Sequence, residues 1–426
     1  MKKDTFKKFD DVDRRGFLTG TAAAALGVTI LPDLAVGEER EIISPADHAT
    51  AKNVIFLYMS GGMTHVDTFD PKTPSHIAGA TTPLATNASG LQISNHLPNL
   101  AKQGDKFAVI RSMSTKTGDH AGGNYLMHTG FSRQPGQSHP QMGSWAQYFL
   151  GRRNKLIPDS IVIGGGNPGP GFFRPDHSPL PVGDPSRGLK DLVPKLDKKR
   201  FERRMKYAKA FSETFEEGFP HDDVRAYSDF YEETVKLFDD KTTELFDINK
   251  EPAEMKNLYG NSRFGRGLLL ARRLVENNVR YVEVQLGGWD GQHGNFAAGS
   301  NRAGEMDGPV AALLQDLDAR GLLKETMVVL TTEFGRTPKI NQRGGRDHFP
   351  KAFSVMVAGG GVNGGQYVGE TDENATNIKG DRFGPKDLHT TIAYALGLPI
   401  EKRVHPGGGR PFFVGDRGEV IKQLFA

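Results

Sequence analysis

KNVIFLYMSGG, Lys52–Gly62, is an unbroken apolar run that stops at a glycine pair. A strand buried on both faces reads this way, because neither face alternates with polar residues. The same signature returns in FAVIRSM (107–113), DSIVIGGG (159–166), VRYVEVQLGG (279–288), TMVVLTTE (326–333) and FSVMVAGGG (353–361). Between these runs, RFGRGLLLARRLVENN (263–278), GPVAALLQDLDARGLL (308–323) and DLHTTIAYALGL (387–398) carry apolar residues at helical spacing. Buried strands alternating with helices predict an α/β fold, with a largely parallel central sheet and helices on both faces.

Working outward, Leu189–Phe238 is charged, helical in period and free of buried-strand runs. It predicts a helical insertion over about 189–250 whose charge runs are solvated faces. The first 37 residues stand apart. Arg14 and Arg15 precede Gly16-Phe17-Leu18, a short mildly apolar run and the small residues Ala35 and Gly37. This arrangement resembles a twin-arginine export signal, with the mature chain, residues 38–426, forming a single domain. An amphipathic N-terminal helix is the alternative. Export through the twin-arginine machinery to a periplasmic or secreted location is the expectation. No later stretch is long and apolar enough for a stable membrane span.

Composition narrows the chemistry. Lys+Arg 54 against Asp+Glu 51 leaves a formal charge of +3, and no basic block is interleaved with aromatics, so nucleic acid is not an expected partner. Cys 0 excludes disulfides, thiolate ligands and a cysteine nucleophile.

Ligands of open α/β sheets bind outside the carboxyl ends of the strands. Here those positions carry imidazoles and carboxylates: His65, Asp67 and Asp70; Asp119, His120 and His128; Asp290 and His293; Glu333, Asp347 and His348. Gathered at one edge, such groups repel and lose hydration unless a counter-charge intervenes. A divalent cation supplies it, and mixed His/Asp/Glu ligation suits zinc or manganese, one ion or two. Asp67, Asp290, His293, Glu333, Asp347 and His348 are the metal candidates. Each fragment alone is equally an Asx turn, a helix cap or an ion pair such as Glu333 with Arg336.

GGMTHVDTFDPK, DHAGGNYLMHTG, YGNSRFGRGLLLARRLVENNVRYVEV, GGWDGQHGNF, TTEFGRTP and GRDHFP occur in this order from about Asn53 onward. Together they resemble the blocks of domain-of-unknown-function family 1501, secreted bacterial proteins placed near the sulfatases and alkaline phosphatases. The resemblance implies a bimetal centre at the carboxyl edge and a Ser, Thr or Cys nucleophile. It sets Glu333 where a metal-binding Asp stands, Phe334 where a His stands, and His348 as a late ligand. WDGQHG is similar to an Asp…His ligand loop, one residue shorter between Asp290 and His293.

The sequence departs from that pattern twice. Ser60-Gly61 occupies the place of the first-strand Asp, and His120 occupies the place of the nucleophile, with Thr115 and Thr117 the nearest hydroxyls. The implied activity is a metal-dependent hydrolase acting on a small or polymeric anionic phosphate or sulfate ester, those of polysaccharides included. His120 or a metal-bound water would attack, and Arg336 and Arg346 would clamp the anion. The competing expectation is a non-catalytic binding protein with a degenerate metal site. His128, within the helix that follows His120, is expected to lie outside the ligand set and to be replaceable without loss of metal.

Overall fold

A computed structural model describes residues 42–188 and 244–425, apart from 74–76, 78, 155, 167, 168, 292–295, 407 and 408, together with isolated positions between 199 and 207. The expected export segment, most of the expected insertion and His293 lie outside the described residues.

Eight strands build the central sheet: β1 (Asn53–Met59), β2 (Phe107–Met113), β3 (Ser160–Ile163), β4 (Leu180–Val182), β5 (Tyr281–Leu286), β6 (Thr326–Thr331), β7 (Phe353–Ala358) and β8 (Gln366–Val368). Their order is β8-β2-β7-β6-β1-β5-β3-β4. β1 is central and buried along its whole length, as its unbroken apolar run predicts. It pairs parallel to β5 on one side and β6 on the other.

The sheet is the largely parallel one expected, with one reversal: β7 runs antiparallel to both β2 and β6. A continuous apolar run records burial but not direction, so this reversal was not legible in FSVMVAGGG. It has a consequence for function. The residues that enter β7, rather than those that leave it, lie at the carboxyl edge of its neighbours β2 and β6.

Helices cover both faces. α1 (His120–Thr129), α2 (Met142–Leu150) and α6 (Pro385–Ala395) pack with Phe56, Tyr58, Tyr281 and Val329 on one side. α3 (Ala253–Tyr259), α4 (Arg263–Glu276) and α5 (Phe296–Ala319) lie on the side of Ile55, Leu57, Val282 and Val328. α4 opens on Ser262, whose hydroxyl caps Gly265 N.

α5 begins well before the Gly308-Pro309 pair at which the sequence pattern starts it. Ala303, Met306, Val310, Leu313, Leu314 and Leu317 form one buried stripe across the proline, and packing of that stripe overrides the local breaker. No helix among the described residues is long and apolar enough to cross a membrane.

Candidate metal centre at the carboxyl edge

Four connections converge at the carboxyl edge of β1, β5 and β6. β1 leads into Gly61 and Gly62, which take φ values of +118° and +74°. A Cβ on Gly61 would meet Asp290 N at 2.5 Å, and one on Gly62 would meet Arg336 Nε at 2.9 Å. The glycine pair therefore turns the chain and admits the Asp290 and Arg336 segments to van der Waals contact.

α1 is capped by Asp119, whose carboxylate accepts from Gly122 N at 2.7 Å. A Cβ on Gly123 would stand 3.0 Å from Glu333 Cβ and 3.1 Å from Phe334 Cδ1, so this glycine lets the helix lie close over Glu333. His348 arrives on a short return: Gly335–Arg336 and His348–Phe349 pair antiparallel just before β7.

His120, Asp290 and His348 meet there, with one ligand-type atom of each within 4.8 Å of the others. His120 Nε2 stands 3.4 Å from Asp290 Oδ2, and His348 Nε2 stands 3.7 Å from Asp290 Oδ1. Ligands about 2.0–2.2 Å from a tetrahedral ion would lie roughly 3.3–3.6 Å apart, close to these separations. Each imidazole is held by its other nitrogen: His120 Nδ1 at 2.7 Å from Glu333 Oε1, and His348 Nδ1 at 2.6 Å from Gly118 O. Acceptors at both Nδ1 atoms favour tautomers that leave Nε2 as a lone pair facing the cluster. Phe334, fully buried, packs against both rings at 5.1 and 4.7 Å between centroids.

Glu333 lies behind this cluster. Its Oε1 also accepts from Gly61 N at 2.9 Å, and its Oε2 lies 3.1 Å from the Tyr58 hydroxyl and 3.0 Å from that of Thr332. Burial pushes its carboxyl up, but the bonds from His120, Thr332 and Gly61 outweigh burial and hold it below the ordinary value. The same bond to Glu333 is the main reason that the His120 pKa is raised, against burial. Burial raises the Asp290 carboxyl, and Arg336, His120 and His348 more than offset this and lower it. Burial, then Glu333, lifts Tyr58 well above its usual range.

The other expected site residues have different positions. Asp67 is buried against Arg346 in a two-point pair, Nε to Oδ2 and Nη2 to Oδ1 both at 2.8 Å, and it also accepts from Thr81 at 2.8 Å. Arg346 further donates to the carbonyls of Pro338 and Ile77. Both are therefore paired with each other and with neighbouring groups, and neither is brought into the cluster.

Arg336 is buried and donates to Gly61 O, to Gly62 O at 2.9 Å, to Arg346 O at 3.1 Å and to Asp290 Oδ1 at 2.7 Å. It holds Asp290 rather than offering a free fork. Asp347 is exposed and accepts from Asn341 at 3.0 Å, so only His348 of the metal-candidate pair Asp347-His348 joins the cluster.

His65 and Asp70 are buried structural groups, with His65 Nε2 3.0 Å from Ala375 O and Asp70 paired with Lys72 at 2.8 Å. His128 is outside the cluster, as expected, with Nε2 3.0 Å from Glu283 Oε1. Sequence reasoning missed Tyr58, Asn124 and Thr332, the supports of Glu333 and α1. The spacing His120-Asn124-His128, one polar residue every helical turn, is the signal that could have exposed the Asn.

Sheet and cluster define an α/β protein that gathers two imidazoles and a carboxylate at the carboxyl edge of its sheet. The chain belongs to the family described as "Protein of unknown function (DUF1501)", whose model matches residues 51–425. No curated protein matches it. Among solved structures, it aligns with the lipoteichoic acid synthase LtaP from Listeria monocytogenes at 9% identity and TM-score 0.38, over 84% of this chain and 76% of that one. It aligns with the PsFucS1 sulfatase from Pseudoalteromonas sp. at 14% and 0.39, over 93% and 80%. The alkaline phosphatase from the Antarctic bacterium TAB5 aligns at 14% and 0.32, over 76% and 96%. Identity this low and superposition this loose say nothing about chemistry.

Proposed function

We propose that this protein is an exported metal-dependent hydrolase of phosphate or sulfate esters, with His120, Asp290 and His348 as the protein ligands of a divalent cation, zinc or manganese. The observation that carries the reading is His120. Its Nε2 is buried and lacks a hydrogen-bond partner, while its Nδ1 is fixed by a buried carboxylate, the arrangement of a carboxylate–histidine–metal triad. Two nitrogens and one oxygen match a catalytic zinc set that leaves a position open. When bound, the ion would polarise an ester oxygen and lower the pKa of a coordinated water.

The chain's own residues do the rest. Glu333 fixes the His120 ring and tautomer, Gly118 O fixes His348, and Arg336 fixes Asp290. Arg336 and Arg346 are both engaged in the fold, and Arg302 is paired with Glu305 on its own helix; of the three, Arg302 takes the anion-binding role, by exchanging that surface carboxylate for the substrate anion. Its guanidinium lies on Gly288, where a Cβ would meet Nε at 2.8 Å, and Gly288 is two residues before Asp290. The substrate is a small or polymeric anionic ester, and the Arg14-Arg15 segment directs export by the twin-arginine pathway.

A second reading, a binding protein that keeps the ion without turnover, draws support from the hydroxyls near α1. Thr117 Oγ1 bonds to the capping Asp119 Oδ2 at 2.5 Å and Thr115 Oγ1 accepts from Thr117 N at 3.4 Å, so both are engaged in the turn before α1 instead of the cluster. Elemental analysis of protein purified without chelators, followed by turnover of aryl phosphates and sulfates by wild type and Arg302→Gln, tests both. Stoichiometric metal with turnover, and a raised KM in the variant, is the expected result. Metal without turnover selects the binding protein, and no metal after zinc or manganese is offered refutes both.

A further inference from the structure

α1 presents polar side chains to the sheet where an apolar stripe would be ordinary. His120, Asn124 and His128, four residues apart, share one face. Each meets a polar group on a different neighbouring strand: His120 meets Glu333 beyond β6, Asn124 Oδ1 accepts from Tyr58 on β1, and His128 meets Glu283 on β5. β6, β1 and β5 are adjacent in the sheet. Four residues of helix rise about 6 Å and strands lie about 4.8 Å apart, so successive turns can fall on successive strands. The three contacts form a polar seam running from the cluster into the core.

The far end of that seam has no part in the cluster. Glu283 is fully buried, its Oε1 is shared by His128 at 3.0 Å and Gln285 Nε2 at 2.5 Å, and its Oε2 is buried without a partner. His128 Nδ1 lies 2.6 Å from the carbonyl of Asn124, one turn back on the same helix. A buried ion pair is a poor source of stability, since apolar residues of similar volume commonly do as well or better. Its attested use is to fix register. An apolar interface lets a helix rotate or slide by repacking, whereas directional bonds at successive turns do not.

We propose that His128 and Glu283 are positioning residues that fix the rotation of α1 and thereby aim His120 Nε2 at Asp290 and His348. The inference rests on the reading of that cluster as a cation site. The test measures zinc affinity by chelator competition and the visible spectrum of the cobalt-loaded protein, for wild type and for His128→Leu/Glu283→Leu. The double variant should keep the melting temperature of the metal-free protein. It should bind one zinc about tenfold or more weakly, with an altered cobalt spectrum.

Should the double variant fail to fold, Glu283→Leu alone is the substitute, because a neutral His128 keeps its bond to Asn124. The same weakening is expected of it. Unchanged affinity and spectrum in a folded variant would overturn the positioning role while leaving the cation site intact. Failure of wild type to bind zinc or cobalt would overturn the cation site and this inference with it.

Discussion

Glu333 Oε1 accepts from a histidine and a backbone amide, while Oε2 faces the Tyr58 and Thr332 hydroxyls, which also reach Asn124 Oδ1 and Met59 O. This separates two roles that a carboxylate at a strand end can play. A ligand carboxylate must turn an oxygen to the ion, but the Glu333 oxygen that meets His120 is already occupied by the His120 ring and Gly61 N, and the other points at hydroxyls. Asp290, half exposed and bonded to Arg336 through Oδ1, turns toward both imidazoles. Removing the two residues should therefore differ in kind. Asp290→Ala should abolish zinc binding at micromolar concentrations, whereas Glu333→Gln should weaken it roughly 10–100-fold, the range for residues that hold a histidine ligand. Equal loss in the two variants would place Glu333 among the ligands after all. That Glu333 matters was legible, because a buried apolar strand seldom ends on a carboxylate without reason. Its role was not, since it depends on Gly61, Tyr58 and His120, which are hundreds of positions away in sequence. The Asp67–Arg346 pair was hidden for the same reason: |i−j| is 279.

The elements were more legible than the contacts between them. β1, β5 and β6 fall within the apolar runs that predict them, because burial on both faces leaves a continuous signal. Strand direction leaves none, so the reversal of β7 stayed hidden, and with it the route by which His348 reaches the cluster from the amino end of a strand. The turn after β1 is the element on which the site depends most closely. Gly61 and Gly62 both take positive φ, and a Cβ on Gly61 would meet backbone that no side chain could displace cheaply, Asp290 N at 2.5 Å and Trp289 N at 2.8 Å, while one on Gly62 would meet the buried side chains of Arg336 and Phe334. Gly61→Val should therefore be costly twice over, through strained φ and through expulsion of the Trp289–Asp290 segment. The expected result is a lower yield of folded protein or a melting temperature reduced by several degrees, with metal content lost. A soluble Gly61→Val protein with the wild-type midpoint would show that the turn is not so constrained.

At the scale of the whole molecule, buried histidines of opposite character set how stability follows pH. Burial lowers the pKa values of His389 and His139 to about 4, His389 by full enclosure against the helix and His139 within an aromatic cluster. The unfolded chain, with histidines near 6.5, binds more protons than the folded chain between about 6.5 and 4. Stability must therefore fall as pH drops through that window. His128 has the opposite sign. Burial lowers its pKa, but Glu283 and the Asn124 carbonyl raise it further and leave it above the ordinary value. Its contribution is complete below about 6.5 and disappears as pH rises through the raised pKa. The metal-free protein should thus melt highest near pH 6.5 and lose stability on either side. His389→Gln keeps a donor for Met127 O, which the His389 ring reaches at 2.8 Å, but has no proton to gain on unfolding, so it should make the acid limb shallower, leaving the share of His139, and should not change the alkaline limb. His128→Gln should make the alkaline limb shallower, leaving the share of His120, whose pKa is also raised, and should not change the acid limb. Melting curves from pH 4 to 9 on wild type and both variants decide the matter: a limb that keeps its slope after its histidine is replaced would show that other groups control it.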